Sequence, residues 1–137
     1  MVKASGIGAS VKRVEDQRFI TGKGNYVDDI NRQGQTYAVF VRSPHAHAKI
    51  KSLDIKAAKD APGVVAIFTG ADLARDKIGG LICGWMILNK DGSQMSSGAH
   101  PALAVDTVRY VGDHIAVVIA ETLAQAKDAA ELVAVDF

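Results

Sequence analysis

The stretch His114-Ile-Ala-Val-Val-Ile-Ala120, followed by an Ala-rich segment from Leu123 to Leu132, decides the fold. The first part is a continuous apolar and β-branched run, which is typical of a central strand. In the second part the apolar positions recur at i, i+3 and i+4, which places them on one helical face. They are Leu123, Ala126, Ala129, Ala130 and Val133. Thr122 and Gln125 have capping-box spacing, so a capped helix with a small-residue face is predicted after the strand.

Shorter elements are predicted around this unit. Alternating or continuous apolar runs indicate strands over 36–42, 46–55, 64–68, 101–105, 108–111 and 133–137. The second strand is expected to bulge at Ser52, and the third is expected to be buried on both faces. One helical turn is expected over 56–60, and Thr69 is expected to cap another short helix. Residues 75–100 contain five glycines and are predicted to be mainly loop.

The elements together predict an α+β fold in which a few short helices pack on a mixed sheet. Residues 36–137 are assigned to this single domain. Residues 1–35, which are interrupted by five glycines, are predicted to form an extended N-terminal arm with turns. Because residues 133–137 alternate like a strand up to an apolar Phe137, the domain is expected to be a fragment of a larger subunit.

Composition narrows the classes of function. The chain has 137 residues, 48% of them hydrophobic, with 16 Lys and Arg against 15 Asp and Glu. The balanced charge argues against a nucleic-acid or anionic-membrane binder, because phosphate binding depends on uncompensated basic clusters. No stretch approaches the roughly 20 apolar residues of a membrane span. A lone Cys and the lack of a glycosylation sequon favour the cytoplasm.

One pair of histidines suggests a metal site. His45 and His47 are two residues apart, and on a strand such residues face the same side. Two imidazoles could share one metal ion, although further ligands would have to come from elsewhere in the chain. The favoured interpretation is that both histidines lie on the solvated face of an edge strand, beside Lys49 and Lys51.

Other chemical motifs are weaker. Cys83 could pair with His100 or His114 as a nucleophile and base, but a small buried hydrophobe is the favoured interpretation. Core filling is likewise favoured over an exposed binding patch for Trp85, Met86 and Leu88. The Gly6-x-Gly8 and Gly22-x-Gly24 pairs do not complete a phosphate-binding motif.

The adjacent acids Asp28 and Asp29 could bind a hard cation. In a strand, however, they would point to opposite faces, so at least one of them is expected to anchor backbone or a basic partner. The residues alone therefore indicate no catalytic constellation.

Five ordered segments resemble one known family. They are Arg18–Ile30 (RFITGKGNYVDDI), Phe40–Ile50 (FVRSPHAHAKI), Pro62–Ala66 (PGVVA), Tyr110–Thr122 (YVGDHIAVVIAET) and Asp128–Val133 (DAAELV). In this order the chain resembles the N-terminal a/b hammerhead domain of the molybdenum-binding large subunit of the xanthine oxidase superfamily. It is most similar to the aerobic carbon monoxide dehydrogenase type.

The resemblance implies an aldehyde oxidase/xanthine dehydrogenase a/b hammerhead fold within an oxidoreductase. The parent enzyme would oxidise carbon monoxide, an aldehyde or an N-heterocycle at molybdenum bound by molybdopterin cytosine dinucleotide. Electrons would pass to 2Fe-2S clusters and FAD, which in this arrangement sit on small and medium partner subunits. The family's cofactor-binding segments and its glutamate base belong to later domains. No catalytic, cofactor or metal residue is therefore assigned here, and the chain alone is expected to be inactive.

One further expectation follows from the resemblance. Tyr26, Asp28, Asp29, Arg42, His45 and His47 are candidate contacts to the remaining domains of the large subunit or to its partner subunits. The alternative is a stand-alone binding or assembly module that is never joined to a molybdenum domain.

Overall fold

A computed structural model describes residues 6–98 and 100–137. Of these, residues 6–35 belong to one unit and Thr36–Phe137 form a second. The first unit contains helix α1 (Asp16–Ile20) and a single 3₁₀ turn over Val27–Asp29. Asp28 and Asp29 therefore lie in a helical turn, and the strand considered for them is wrong. The Tyr26 backbone N–H donates to Asp29 Oδ2 at 2.9 Å, which stabilises the start of the turn.

The second unit carries the sheet elements and three helices. In chain order they are β1 (Tyr37–Arg42), β2 (Ala48–Lys49), β3 (Ser52–Asp54), α2 (Lys56–Lys59), β4 (Val64–Thr69), α3 (Gly70–Arg75), β5 (Thr107–Val108), β6 (His114–Ala120), α4 (Leu123–Glu131) and β7 (Ala134–Asp136). The predicted strand at 114–120 and the capped helix after it are both confirmed. Residues 76–98 contain only an isolated bridge between Leu88 and Gln94, as expected of a loop.

Strand β6 lies at the centre of a three-stranded sheet of order β1-β6-β4. Two smaller pairs, β2 with β5 and β3 with β7, complete the strands. The α+β class is confirmed, with one difference in the sheet: every strand pair in the described residues is antiparallel, where a mixed sheet was expected. Strands β1 and β4 both run opposite to β6, so they flank it without a parallel crossover.

Helix α4 covers one face of the central sheet. Ala126 and Ala129 are fully buried, and α4 packs against β1 and β6. The Thr122 hydroxyl accepts from the Gln125 N–H at 3.2 Å, and the Gln125 side chain accepts from the Thr122 N–H at 3.1 Å. The predicted capping box is thus confirmed. Leu123 is 45% exposed, however, because it precedes the turn of the helix that reaches the sheet.

Enlarging this helix face should destabilise the domain. In Ala126→Leu, three extra carbons must enter a site with no exposed surface, and we expect a loss of about 1–3 kcal/mol of unfolding free energy. Thermal unfolding followed by circular dichroism measures the effect. Ala124→Leu, on the exposed side of the same helix, is the matched control and should leave the melting temperature nearly unchanged. Equal melting temperatures for the two variants would contradict the packing described here.

Two clusters of buried side chains form the core. The first lies between α4 and the sheet and includes Ile67, Val118 and Val133; the second surrounds Ile115 and Val108. Leu53 and Val135, which face each other across β3 and β7, pack against both clusters. The hydrophobic core is therefore continuous through this small strand pair.

The predicted strand over 46–55 is divided into β2 and β3. The backbone N–H of Ile50 donates to the Asp106 carbonyl at 2.8 Å, whereas that of Lys51 donates to the Asp136 carbonyl at 2.8 Å. The chain thus changes partners between these two residues, and no bulge at Ser52 is needed.

The strands expected at 101–105 and 108–111 are wrong, and only Thr107–Val108 pairs, with the two residues of β2. The two-sided burial expected for residues 64–68 is also wrong. Strand β4 lies at a sheet edge, and Val65 and Phe68 are 59% and 39% exposed.

Candidate interdomain contact site

A buried corner joins the end of β1 to the turn before β6. The Ser43 N–H donates to the Asp113 carbonyl at 2.9 Å, and the Gly112 N–H donates to the Ser43 carbonyl at 2.8 Å. Arg42 Nη1 adds a bond of 3.2 Å to the Gly112 carbonyl. Gly112 has φ of +90°, a conformation that favours glycine at this turn. The corner fixes Arg42 and the loop that follows it relative to the sheet.

The Asp113 side chain also stabilises this turn through a hydrogen bond. It is 7% exposed, and its Oδ2 accepts the Arg109 N–H at 2.9 Å. An open cleft of about 530 Å³ lies beside it, and its lining includes His100, Arg109 and Tyr110. His100 Nε2 and the Tyr110 hydroxyl are 3.3 Å apart. Partial desolvation, with the Asp113 carboxylate adding to it, raises the pKa of Tyr110.

Removal of the Asp113 carboxylate should weaken this corner. Asp113→Ala removes the buried carboxylate that accepts the Arg109 N–H, and we expect a loss of about 1–3 kcal/mol of unfolding free energy. Urea unfolding measures this loss of unfolding free energy. Asp106→Ala removes an exposed carboxylate from the same loop region and should change the midpoint little. A similar loss for both variants would show that the side-chain bond does not stabilise the turn.

The two histidines of the metal hypothesis lie in a turn and not on a strand. Both follow β1 and precede β2, and both are exposed. The His45 N–H donates to Ser43 Oγ at 3.0 Å, and its ring meets Phe137 edge-on at 4.7 Å between centroids. Within residues 6–98 and 100–137, no group of three His, Cys, Asp or Glu side chains could hold a metal ion. The strand geometry assumed for His45 and His47 is therefore wrong.

The remaining sequence candidates are in the first unit. The Tyr26 ring stacks on Phe19 at 5.4 Å between centroids and is 63% exposed. Asp28 and Asp29 are also exposed, and Asp29 is engaged by the Tyr26 backbone. Tyr26, Asp28 and Asp29 thus lie on one short turn, separate in the chain from the corner that holds Arg42 and His45.

One surface was missed by the sequence reasoning. On the central sheet, Phe40 of β1 and Phe68 of β4 both pair with Val117 of β6, and these three residues form a row across the sheet. The next row on that face consists of Ala38, Ile119 and Ala66. We call this the open sheet face, because it lies opposite the face that α4 covers. The signal was present in β1, whose two faces are both mostly apolar.

Two expectations about the loop at 76–98 are wrong. Cys83 is exposed, so it is not a small core hydrophobe. Trp85 and Leu88 are 77% and 64% exposed, so they do not fill the core either. These residues belong to a loop that forms no regular strand pair, and they are not members of either core cluster.

Comparison with known proteins decides the family. The sequence model of the aldehyde oxidase and xanthine dehydrogenase a/b hammerhead domain matches residues 21–137. The chain belongs to this family. The expected hammerhead fold is therefore confirmed, and it includes the turn that carries Tyr26, Asp28 and Asp29.

Relatives of the hammerhead domain are oxidoreductases. The nicotine 6-hydroxylase large subunit of Paenarthrobacter nicotinovorans is 42% identical over 130 residues, which cover 95% of this chain and 15% of that protein. The carbon monoxide dehydrogenase large chain of Afipia carboxidovorans is also 42% identical, over 98% of this chain and 15% of its own length. The crystal structure of a Cu,Mo-CO dehydrogenase has a TM-score of 0.75, 42% identity and coverage of 98% of this chain and 16% of that one.

The chain thus spans about 15% of the two large subunits named above, and it is a domain of the kind found in molybdenum hydroxylase large subunits. Its own residues do not fit the iron-sulfur cluster of such enzymes. An iron-sulfur cluster takes four thiolates, and the sequence has one Cys. No helix in the described part of the chain is long and apolar enough to cross a membrane.

Proposed function

We propose that the hammerhead domain is a structural part of the large subunit of a longer parent enzyme. This enzyme oxidises a small substrate at a molybdopterin centre. The observation that carries the proposal is the match of nearly the whole chain, at 42% identity, to about 15% of two such large subunits. The domain supplies shape and contact surface, and the reacting groups belong to the rest of the parent. The 137-residue chain by itself is expected to be inactive.

The substrate class is carbon monoxide, an aldehyde or an N-heterocycle. Carbon monoxide was the first expectation, and the carbon monoxide dehydrogenase chain supports it with 42% identity. The nicotine 6-hydroxylase subunit supports an N-heterocycle with the same identity. The hammerhead domain carries no residue assigned to the substrate, so the three substrates are tested side by side in the parent enzyme.

The proposed parent binds its cofactors outside this domain. Molybdenum would be held by molybdopterin cytosine dinucleotide in the remaining domains, with 2Fe-2S clusters and FAD on small and medium partner subunits. The cytoplasm is the proposed location, since the sequence has one Cys and offers no internal disulfide.

Purification of the native protein that contains this sequence tests the proposal. We expect one molybdenum per large subunit by mass spectrometry of metals, together with the absorbance of flavin and iron-sulfur groups. Reduction of an artificial electron acceptor is then measured with carbon monoxide, an aldehyde and an N-heterocycle in parallel. A native polypeptide without molybdenum would overturn the proposal.

The alternative is a stand-alone binding or assembly module without catalytic activity. The exposed apolar residues of the open sheet face favour this reading, because a surface of that kind commonly marks a protein contact. A native polypeptide that ends with this domain and purifies in complex with another protein would support it.

The six candidate contact residues belong to the same proposal. Tyr26, Asp28, Asp29, Arg42, His45 and His47 are exposed in the described structure and are proposed to meet the remaining domains or the partner subunits. Arg42 is the most direct to test, because the corner at Gly112 holds its guanidinium in place.

Arg42→Glu should weaken assembly of the parent without unfolding this domain. The substitution removes an exposed hydrogen bond to Gly112 and reverses a charge, so the melting temperature of the 137-residue chain should change little. In the native enzyme we expect less molybdenum per subunit and weaker co-elution with the iron-sulfur and flavin subunits. Lys127→Glu, an equal charge reversal on the exposed side of α4, is the control. Normal cofactor loading in Arg42→Glu would show that Arg42 does not take part in the contact.

A further inference from the structure

The open sheet face departs from the usual pattern of an antiparallel sheet. Such a sheet commonly buries one face and presents polar side chains on the other. Here the face opposite α4 carries Phe40, Val117 and Phe68 in one row, and the next row is also apolar. Phe40 and Phe68 are 43% and 39% exposed. Both faces of the sheet are therefore apolar. In the described residues α4 covers one face, whereas α3 and residues 102–103 only border the cleft on the other.

An apolar cleft of about 300 Å³ opens on this face. The row of Phe40, Val117 and Phe68 forms its floor, and Leu73, Ile78 and Leu103 are among its walls. Asp76 is the one acidic side chain at the cleft, and its carboxylate is paired with Arg75 Nε at 3.0 Å. The volume is enough for a large apolar side chain.

Polar groups lie at one end of the same face. Arg42 pairs with His114 across β1 and β6, and the His114 ring is 4.5 Å from the Phe40 ring between centroids. The Arg42 guanidinium lies 5.9 Å from the Phe40 centroid. An apolar centre with polar groups at its edge is typical of a protein contact surface.

We propose that the remaining polypeptide of the large subunit covers the open sheet face and inserts an apolar side chain into the cleft. This inference rests on the proposed function, since it requires that the domain is joined to a longer chain. The matched large subunits are more than six times as long as the segment that aligns with this chain, so they supply ample polypeptide as the occupant. The contact is made within one polypeptide.

The chemistry of the cleft favours this occupant over a small ligand. Ligand sites place a few convergent polar groups to orient the bound molecule. Here the walls are apolar and Asp76 is already paired, so burial of an apolar side chain is the main available gain. A second copy of this chain is the other possible occupant, and the test separates it from the remaining polypeptide.

Hydroxyl-radical labelling of unmodified protein tests the proposal. Labelling of Phe40 and Phe68 is compared between the 137-residue chain and the native large subunit, with Leu132 as the reference. Leu132 is 48% exposed and follows α4, on the other side of the sheet. We expect both phenylalanines to be labelled in the short chain and severalfold less in the native subunit, with Leu132 unchanged. Equal labelling of the phenylalanines in the two proteins would overturn the proposal.

Two further outcomes would also overturn it. Protection of Phe40 and Phe68 in the short chain that grows with protein concentration would assign the face to a second copy. Protection that is independent of concentration in the short chain would mean that this chain already covers its own face. Molybdenum is measured in the same native sample. If the subunit contains molybdenum and its phenylalanines are still labelled, the proposed contact at the open sheet face is rejected and the proposed function is not. If the subunit contains no molybdenum, the proposed function itself is rejected.

A pair of variants gives an independent readout. Phe68→Ala removes part of the proposed contact, so its melting temperature should fall further in the native subunit than in the short chain. Leu132→Ala should lower the melting temperature equally in both proteins. An equal effect of Phe68→Ala in the two proteins would contradict the contact.

Discussion

Gly70→Ala is expected to destabilise the domain by about 3 kcal/mol, at the upper end of the cost of overpacking. Gly70 is buried at the first position of α3, and a Cβ there would lie 2.3 Å from the Ala104 carbonyl oxygen. It would also lie 2.9 Å from the Leu103 carbonyl oxygen. Because these atoms are backbone, they cannot rotate away as a side chain would. Either α3 or the 103–104 segment has to move.

Thermal unfolding measures this prediction, with an expected fall of about 10 °C in melting temperature. Gly79→Ala is the control, since a Cβ at Gly79 would meet no atom within 4 Å and its φ is not positive. Both variants make the same chemical change, so their difference isolates the close approach. A melting temperature of Gly70→Ala within a degree or two of the control would show that α3 is not seated against residues 103–104.

The Gly70 contact also bears on the proposed contact surface. Leu73 of α3 and Leu103 both line the apolar cleft, and Gly70 lets their two segments approach each other. Displacement of α3 would therefore widen the cleft as well as lower stability.

Ile115→Ala is expected to cost about 3 kcal/mol, within the range for removing a large buried aliphatic side chain. Ile115 is 1% exposed and is among the largest fully buried side chains of the described residues. It packs with Ala104 and Val108, and partly buried Leu53 and Val135 close the cluster. The size of the loss depends on how far these neighbours relax into the space left by the side chain.

Urea unfolding of a graded series measures the effect. Ile115→Val removes one methylene and should lower the unfolding free energy by about 1 kcal/mol. The loss of unfolding free energy should therefore rise with the side-chain volume that is removed. Val111→Ala, at a position 67% exposed in the same part of the chain, should be nearly neutral. If Ile115→Ala behaves like Val111→Ala, the second core cluster does not contribute to stability.

Local sequence patterns predicted the centre of the fold. The run from His114 to Ala120 could be read as a strand because it is β-branched and bounded by Gly112. Helix α4 could be read from its period and from the Thr122–Gln125 capping box. A Thr–Gln capping box joins side chains and backbone N–H groups within one helical turn, so it needs no distant partner.

The candidate site was less predictable, because its parts come from distant segments. Arg42 was chosen from the sequence, but its partner Gly112 is 70 residues away. Ser43, which is 2% exposed and bonded to the same turn, had no distinguishing signal. His45 and His47 were placed on a strand because residues 46–55 alternate, whereas the corner at Ser43 bends the chain there.

The sequence by itself determined the family, the α+β class, strand β6 and helix α4, because these depend on local periodicity and on an ordered set of motifs. Only the tertiary structure decided how the strands pair. The division of residues 46–55 depends on hydrogen bonds to the Asp106 and Asp136 carbonyls, which no local pattern specifies. The same holds for the open sheet face. A period of two separates the faces of β1, but which face is covered depends on where α4 packs in space.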